Sequence, residues 1–244
     1  MTPSAASGQG PASGTGALIA LRSVSFRWSA RQPPCLAIDR LDIGAGERLM
    51  LLGPSGSGKS TLLGLLGGVL VAQSGTVSLF GEELGALSAG ARDRLRVDHI
   101  GFIFQLFNLV PYLTTRQNVL LPCRFSRRRA DRADGSPEAE SERLLAALGI
   151  GEACWDRPVT ALSVGQQQRV AAARALIGRP ELIIADEPTS ALDALSQQAF
   201  LALLQSQARA SGATLLFVSH DPRLAPGFDR CLEIGAINRA GPGG

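Results

Sequence analysis

One stretch decides the fold of this 244-residue chain: Gly53-Pro54-Ser55-Gly56-Ser57-Gly58-Lys59-Ser60. It matches the pattern G-x-x-x-x-G-K-[ST], in which glycines let the backbone curl until consecutive N–H groups face a phosphate. An apolar run at 48–52 precedes it, and a Leu-rich segment at 60–66 follows it. We therefore predict a strand, a phosphate-binding loop, and a helix whose positive N-terminal end faces the same anion.

The residues of this loop would contribute to nucleotide binding in different ways. Lys59 would reach the β- and γ-phosphates, and the Ser60 hydroxyl would be a Mg²⁺ ligand. The other residues of the segment that we predict to contact the nucleotide are Gly53, Ser55, Gly56, Ser57, Gly58 and Thr61. Alone, the pattern indicates a P-loop NTPase and leaves kinases, GTPases and helicases open.

Two adjacent acids follow a second apolar run. Residues 182–185 are apolar and lead directly into Asp186 and Glu187. Acids at the end of a buried strand are costly unless they meet a cation or water. Beside the phosphate loop, Asp186 would hold Mg²⁺, and Glu187 would act as the general base for the attacking water. Without that loop, the pair would be interpreted as ordinary acidic residues where a strand passes into a loop.

Strand and helix patterns alternate along the rest of the chain. Strands are predicted at 17–28, 76–80, 100–104 and 214–218, and helices at 114–121, 142–148, 163–177 and 193–209. This alternation predicts an α/β fold with a mainly parallel sheet covered on both faces. The charged segment 124–142 is predicted to be a solvated loop leading into a helix, with a lipid-headgroup contact as the alternative.

Composition narrows the function classes. The net charge is +3, from 24 basic and 21 acidic side chains, so it gives no indication of nucleic-acid binding. The chain has 4 scattered cysteines and 2 histidines, from which we expect neither a zinc site nor disulfides, and a reducing cytosol. Its longest apolar run, 62–71, is about half of the ~20 residues of a membrane helix. Residues 1–16 are predicted to be a disordered tail, and 241–244 have the same composition.

Together with the phosphate loop and the acid pair, five further motifs resemble those of ABC (ATP-binding cassette) proteins. Leu162-Ser163-Val164-Gly165-Gln166 is similar to the signature LSGGQ and precedes the Asp186–Glu187 pair. The remaining matches are Gln105 for the Q-loop, Ser190-Ala191-Leu192-Asp193 for the D-loop, His220 for the switch histidine, and Trp28 for the aromatic that stacks on adenine. The resemblance extends over residues 17–234.

The resemblance implies a particular architecture. It is a P-loop NTPase (RecA-like) core with a parallel sheet, an N-terminal antiparallel β-subdomain and an inserted α-helical subdomain. We expect the nucleotide-binding domain at 17–240, its core at about 17–104 and 180–240, and the helical subdomain at about 106–179.

The resemblance also implies an ATPase that uses ATP and Mg²⁺. Glu187, His220 and Gln105 would be catalytic, and Ser60, Gln105 and Asp186 would hold the metal. Cassettes work as head-to-tail pairs with two ATPs between them. Residues that would contact nucleotide in the paired state are Ser163, Gly165, Gln166 and Asp193.

Val164 departs from the family pattern, which has glycine there. A β-branched residue does not tolerate positive φ. We therefore expect an ordinary negative φ at Val164 and an active ATPase; a catalytically silent cassette is the alternative.

The stretch 100–112 resembles the subfamily of lipoprotein-releasing (LolD), macrolide-export (MacB) and cell-division (FtsE) cassettes. That resemblance implies a permease with four membrane helices as partner, and a cytoplasmic location on the inner face of the membrane. Its exposed apolar docking anchors would be Phe107, Leu109, Pro111 and Tyr112. Alternatively, each of these residues lines the helical subdomain of the cassette itself.

The sequence leaves two roles open and argues against two others. The first is an ATPase for lipoprotein, lipid or drug export, and the second is a regulatory motor of the cell-division type without a transported solute. A soluble ATPase acting on DNA or ribosomes would require a coiled-coil insertion or two cassettes, and neither is found in the sequence. An importer often carries an additional C-terminal domain, for which the residues after His220 leave no room.

Overall fold

A computed structural model describes residues 17–190 and 192–240. The predicted tail at 1–16, the C-terminal residues 241–244, and Ala191 of the D-loop match lie outside the described residues. Within the described ranges, we find no helix long and apolar enough to cross a membrane.

An antiparallel sheet forms the N-terminal part of the fold. It contains β1 (Ile19–Phe26), β2 (Leu36–Ile43), β4 (Ser74–Leu79) and the short β5 (Glu82–Glu83), in the order β2-β1-β4-β5. In β1 and β2 the buried and exposed positions follow the same pattern, so one face of the sheet is apolar. The predicted antiparallel subdomain is therefore confirmed.

A second sheet lies at the centre of the fold. Its strands are β3 (Arg48–Leu52), β6 (Ile100–Ile103), β7 (Leu182–Asp186), β8 (Thr214–Ser219) and β9 (Arg230–Glu233). Their order is β6-β7-β8-β3-β9, and every neighbouring pair is parallel. Parallel strands end at one edge of the sheet, so the phosphate loop after β3 and the acids at the end of β7 lie at the same edge.

The central sheet separates two apolar cores. On β8, Leu216 and Val218 pack with the antiparallel sheet, and Leu215 and Phe217 pack with the helices on the opposite face. Successive side chains of a strand point to opposite faces, so a strand with apolar residues at every position is covered on both sides. The predicted covered parallel sheet is confirmed.

Three helices begin after polar residues whose side chains cap them. Thr114 caps α3 (Thr115–Phe125) and Ser163 caps α6 (Val164–Leu176), each through a capping box, and Asp193 caps α7 (Ala194–Ser211). The other helices are α1 (Lys59–Leu66), α2 (Ala89–His99), α4 (Arg127–Asp131), α5 (Pro137–Ala147) and α8 (Ile234–Ile237). The helices α3, α5 and α6 pack on one another.

The prediction of a solvated loop at 124–142 is wrong. This segment contains α4 and the beginning of α5, and Arg129 is only 2% exposed. The Arg129 guanidinium donates to the backbone carbonyls of Ile177 (2.9 Å), Ala175 (2.7 Å) and Ile100 (3.3 Å). Because these carbonyls satisfy its donors, a buried arginine is tolerated where charge patterning alone predicts exposure.

Candidate nucleotide-binding site

The phosphate loop connects β3 to α1. Gly56 and Gly58 have φ of +79° and +98°, in the left-handed region that glycine adopts at little cost. Gly58 is the N-cap of α1 and offers no side-chain cap, so the first N–H groups of α1 have no side-chain acceptor. Lys59 is only 6% exposed, and its Nζ donates to the carbonyls of Gly53 (2.7 Å) and Pro54 (2.8 Å).

The two acids stand at the end of β7, at the same edge of the sheet as the phosphate loop but separated from β3 by β8. Asp186 is the last residue of β7, and Glu187 turns the chain with a left-handed φ of +43°. The Oε1 atom of Glu187 lies 3.5 Å from Lys59 Nζ, and its Oε2 atom lies 3.2 Å from His220 Nδ1. A strained backbone conformation therefore holds this carboxylate between the loop lysine and the histidine after β8.

The surroundings of Asp186 disfavour the ionised form of its carboxyl. Burial raises the pKa of Asp186 above its ordinary value, the neighbouring charge of Glu187 raises it further, and Lys59 partly opposes both. The cost of ionising Asp186 in the folded protein therefore develops as the pH rises through this pKa. A bound cation would stabilise the ionised carboxylate and so relieve that cost. This agrees with the prediction that Asp186 is a metal ligand.

Asp186→Asn should raise the melting temperature of the metal-free protein at pH 7. A raised folded-state pKa means that ionised Asp186 destabilises the fold above that pKa, and asparagine removes the charge. The stabilisation should vanish near pH 3, where the carboxyl is protonated in both the folded and the unfolded state. Thermal melting in a chelator at the two pH values measures this, and an equal effect at both would contradict the assignment.

A cavity of about 360 Å³ brings the candidate residues together. It is lined by Trp28, Cys35, Ser55, Gly56, Gly58, Lys59, Ser60, Thr61, Gln105, Asp186 and Glu187. Two further predicted residues hold the loop itself: the Gly53 carbonyl accepts from Lys59, and Ser57 Oγ donates to the Pro54 carbonyl at 2.7 Å. The volume lies in the range of small-molecule sites.

The sequence did not indicate Cys35. It precedes β2, and its thiol lies near the Phe26 carbonyl and the Thr61 hydroxyl. Tertiary packing brings it to the cavity, so no local pattern could have identified it.

Trp28 is the aromatic at the mouth of this cavity. It is 63% exposed, whereas Phe26 is buried in the antiparallel sheet. The two rings meet edge to face, with centroids 5.2 Å apart and an interplanar angle of 89°. Trp28 thus remains largely exposed although it contacts Phe26.

The signature residues do not line this cavity within one copy of the chain. Ser163 Oγ accepts the N–H of Gln166 at 3.3 Å, and Gln166 Oε1 accepts the N–H of Ser163 at 2.9 Å, so each side chain caps α6. Val164 is the first helical residue and has the expected negative φ. Asp193 uses its carboxylate in the same way, accepting from Ser196 at the beginning of α7.

The predicted apolar anchors only partly agree with the structure. Phe107 is buried in the helical core, and Leu109 is half-buried, which favours the alternative that they line the cassette itself. A left-handed φ of +60° at Phe107 reverses the chain there, which the residue type does not reveal. Tyr112 is exposed, as is the neighbouring Leu106, which was not among the predicted anchors.

Comparison with known proteins identifies the family. Residues 36–190 match the family described as ABC transporter. The chain is 46% identical over 204 residues to the lipoprotein-releasing system ATP-binding protein LolD of Anaeromyxobacter dehalogenans, covering 83% of this chain and 84% of that relative. It is 42% identical over 219 residues to the macrolide export ATP-binding/permease protein MacB of Marinobacter nauticus, covering 89% of this chain and 33% of the relative. These relatives do not favour the cell-division alternative.

A solved structure shares the fold. The dimeric post-hydrolysis structure of the ATP-binding cassette MJ0796 bound to ADP and Pi matches with a TM-score of 0.77 at 33% identity, covering 88% of this chain and 93% of that chain. The predicted P-loop NTPase fold is therefore confirmed. The chain belongs to the ABC transporter family, as an ATP-binding subunit with ATPase activity.

Proposed function

We propose that two copies of this chain hydrolyse ATP between them and thereby power a membrane permease for export or extraction of a lipoprotein, lipid or drug. The observation that carries the proposal is the meeting of Lys59, Asp186 and Glu187 in one cavity, with His220 on the Glu187 carboxylate. The relatives named for lipoprotein release and macrolide export support the transport role.

Mg²⁺ is the metal that suits the donors in the cavity. Ser60, Gln105 and Asp186 offer a hydroxyl, an amide and a carboxylate oxygen, and Mg²⁺ prefers a few oxygen ligands together with substrate phosphates. The raised pKa of Asp186 supports the fit, because a cation would favour the ionised form of this half-buried carboxylate, which burial and the charge of Glu187 disfavour. When bound, the metal would neutralise charge on the β- and γ-phosphates.

The protein side chains divide the remaining tasks of hydrolysis. Glu187 accepts a proton from the attacking water. His220, whose Nδ1 lies 3.2 Å from the Glu187 carboxylate, orients that carboxylate. Lys59 exchanges its two carbonyl acceptors for phosphate oxygens when ATP enters. Phosphoryl transfer depends mainly on this placement and on charge stabilisation.

The second copy completes the site. Ser163 begins α6, whose N-terminal N–H groups and dipole suit an anion. None of the signature residues Ser163, Gly165 and Gln166 lines the cavity of its own copy, which is consistent with a role at the γ-phosphate bound by the partner copy. The dimeric neighbour MJ0796 supports this arrangement.

An apolar groove beside the Q-loop is the proposed contact with the permease. It has a volume of about 280 Å³, and Phe104, Leu121, Pro122 and Phe125 contribute to its walls. Phe104 and Phe125 are exposed, as are Leu106 and Tyr112 nearby in the sequence. Exposed apolar patches of this kind are typical of docking sites. We propose a permease with four membrane helices here, which places the cassette on the inner face of the membrane.

Co-purification of a Glu187→Gln variant from its native cell in ATP and Mg²⁺ tests this function. Without its general base, the closed ATP-bound pair should remain on its partner, and we expect recovery of a permease with four membrane helices and a large outer domain. The matched control is the Lys59→Met variant, expressed in the same cells and purified in the same way. It should recover less permease. Recovery of ribosomes, DNA or soluble partners alone would overturn the membrane role.

Trp28→Ala should raise the apparent Kd for ATP about tenfold, since stacking of a base on an aromatic ring contributes roughly 1–3 kcal/mol. Trp28→Phe should retain most of the affinity. Equilibrium binding of ATP to each variant measures the effect. Equal affinity of the Trp28→Ala variant and the unmodified chain would remove Trp28 from the site.

A further inference from the structure

Arg174 connects the signature helix to the segment that follows Gln105. Its Nη1 donates to the Asn108 carbonyl at 2.7 Å, and its Nη2 donates to the Phe107 carbonyl at 2.6 Å. Arg174 belongs to α6, 66 and 67 residues from these acceptors along the chain. One guanidinium thus binds two consecutive carbonyls of a different element, a geometry that its planar fork of donors favours.

The acceptor segment is bent so that both carbonyls meet the guanidinium. Phe107 and Asn108 have left-handed φ values of +60° and +48°. Asparagine adopts this region comparatively readily, whereas a bulky residue such as Phe107 does so only when its surroundings hold it there. Just before them, the Phe107 N–H donates to the Phe104 carbonyl at 2.9 Å, closing a turn around Gln105 and Leu106. Arg174 therefore fixes the end of the turn that carries Gln105.

The other end of β6 is fixed to the same helix. Gly101 lies so close to α6 that a Cβ atom there would approach the Ala175 carbonyl to 2.1 Å. Arg129 adds hydrogen bonds to the carbonyls of Ala175 and Ile100. The C-terminal residues of α6 thus hold the beginning of β6. Arg174 of the same helix holds the segment that follows β6.

We propose that Arg174 is a positioning residue for ATP hydrolysis, because it makes the Gln105 turn and the signature helix move as one unit. This inference rests on the proposed roles of Gln105 at the metal and Ser163 at the nucleotide of the partner copy. Ser163 lies 11 residues before Arg174, about 16 Å along a rigid helix. A displacement of Gln105 by bound nucleotide would then be transmitted to the helix end that meets the second nucleotide.

A double-mutant cycle on the turnover number kcat tests the connection with the full chain. The variants are Arg174→Met, Gln105→Ala and the combination of both. We expect Arg174→Met alone to lower kcat about tenfold, with the KM for ATP changed less than about twofold. In the Gln105→Ala background the same change should lower kcat less than about twofold, because the turn no longer carries the group that Arg174 positions.

Arg92 supplies a matched control. It also donates to two backbone carbonyls, those of Gly68 at 3.1 Å and Leu87 at 2.6 Å, and neither belongs to the segment that follows Gln105. Arg92→Met should change kcat by the same factor in the Gln105→Ala background as in the unmodified chain. If Arg174→Met melts near the assay temperature, Arg174→Lys, which keeps the charge and one bond at a time, replaces it in the cycle.

If Arg174→Met lowers kcat by the same factor in the unmodified chain and in the Gln105→Ala background, the inference is overturned. A merely structural residue would behave in that way. Absence of hydrolysis by the unmodified chain would instead refute the proposed function, and the inference with it. The unmodified chain alone distinguishes these two failures.

Discussion

Glu187→Gln should lower the rate of ATP hydrolysis by about 10²–10⁴-fold, the usual contribution of a general base. Glutamine keeps the size of the side chain but cannot accept the proton of the attacking water. ATP affinity should be retained, because Lys59 and the loop backbone remain in place. Phosphate release and equilibrium ATP binding, measured on the same preparation, separate the two effects.

The control for this prediction is Glu82→Gln, an exposed glutamate on β5 outside the cavity. It should leave turnover unchanged. Hydrolysis by Glu187→Gln at the rate of the unmodified chain would show that the base lies elsewhere, despite the contacts of Glu187 with Lys59 and His220.

Lys59→Met should weaken ATP binding roughly 10–150-fold, since a hydrogen bond to a charged group contributes about 1.5–3 kcal/mol. Lys59 is the only lysine of the chain, and the other 23 basic residues are arginines, from a total of 24. Its buried ammonium donates to two carbonyls of the loop, so the charge is oriented toward the loop. Isothermal titration with ATP measures the loss.

This single lysine offers an independent test of the same contact. An amine-reactive ATP analogue should label Lys59 and no other side chain, and excess ATP should protect it. The basic control is Arg127→Met, which removes an exposed charge outside the cavity and should leave the affinity unchanged. Undiminished ATP binding by Lys59→Met would remove the loop lysine from the phosphate site.

Local chemistry made much of the fold and site predictable. The run 48–52 and the following glycines predicted β3, the loop and α1, because an apolar run before this pattern is typical of a strand entering a phosphate loop, and glycine can adopt the left-handed φ values that such a loop requires. Ser163, as an N-cap residue, predicted the beginning of α6. The alternation of apolar runs predicted the parallel sheet, whose topology then places Asp186 beside the loop.

Other features depend on distant contacts and were missed. The burial of Arg129 follows from carbonyls 29 to 48 residues away, and charge patterning predicted exposure instead. The burial of Phe107 follows from a left-handed turn at a residue type that rarely adopts one. The edge strand β9 and helix α2 were not predicted, because β9 is largely exposed and α2 is mostly polar.

Subunit complementation tests the central claim, that each ATP is held by the loop of one copy and the signature helix of another. Lys59→Met disables the loop, and Ser163→Arg blocks the signature end of α6; each variant alone should be inactive. In a pair of one copy of each, one of the two sites combines an intact loop with an intact signature helix. An equal mixture should therefore recover up to about a quarter of the unmodified activity, since about half of randomly formed pairs are mixed. A mixture no more active than its two components would contradict a shared site.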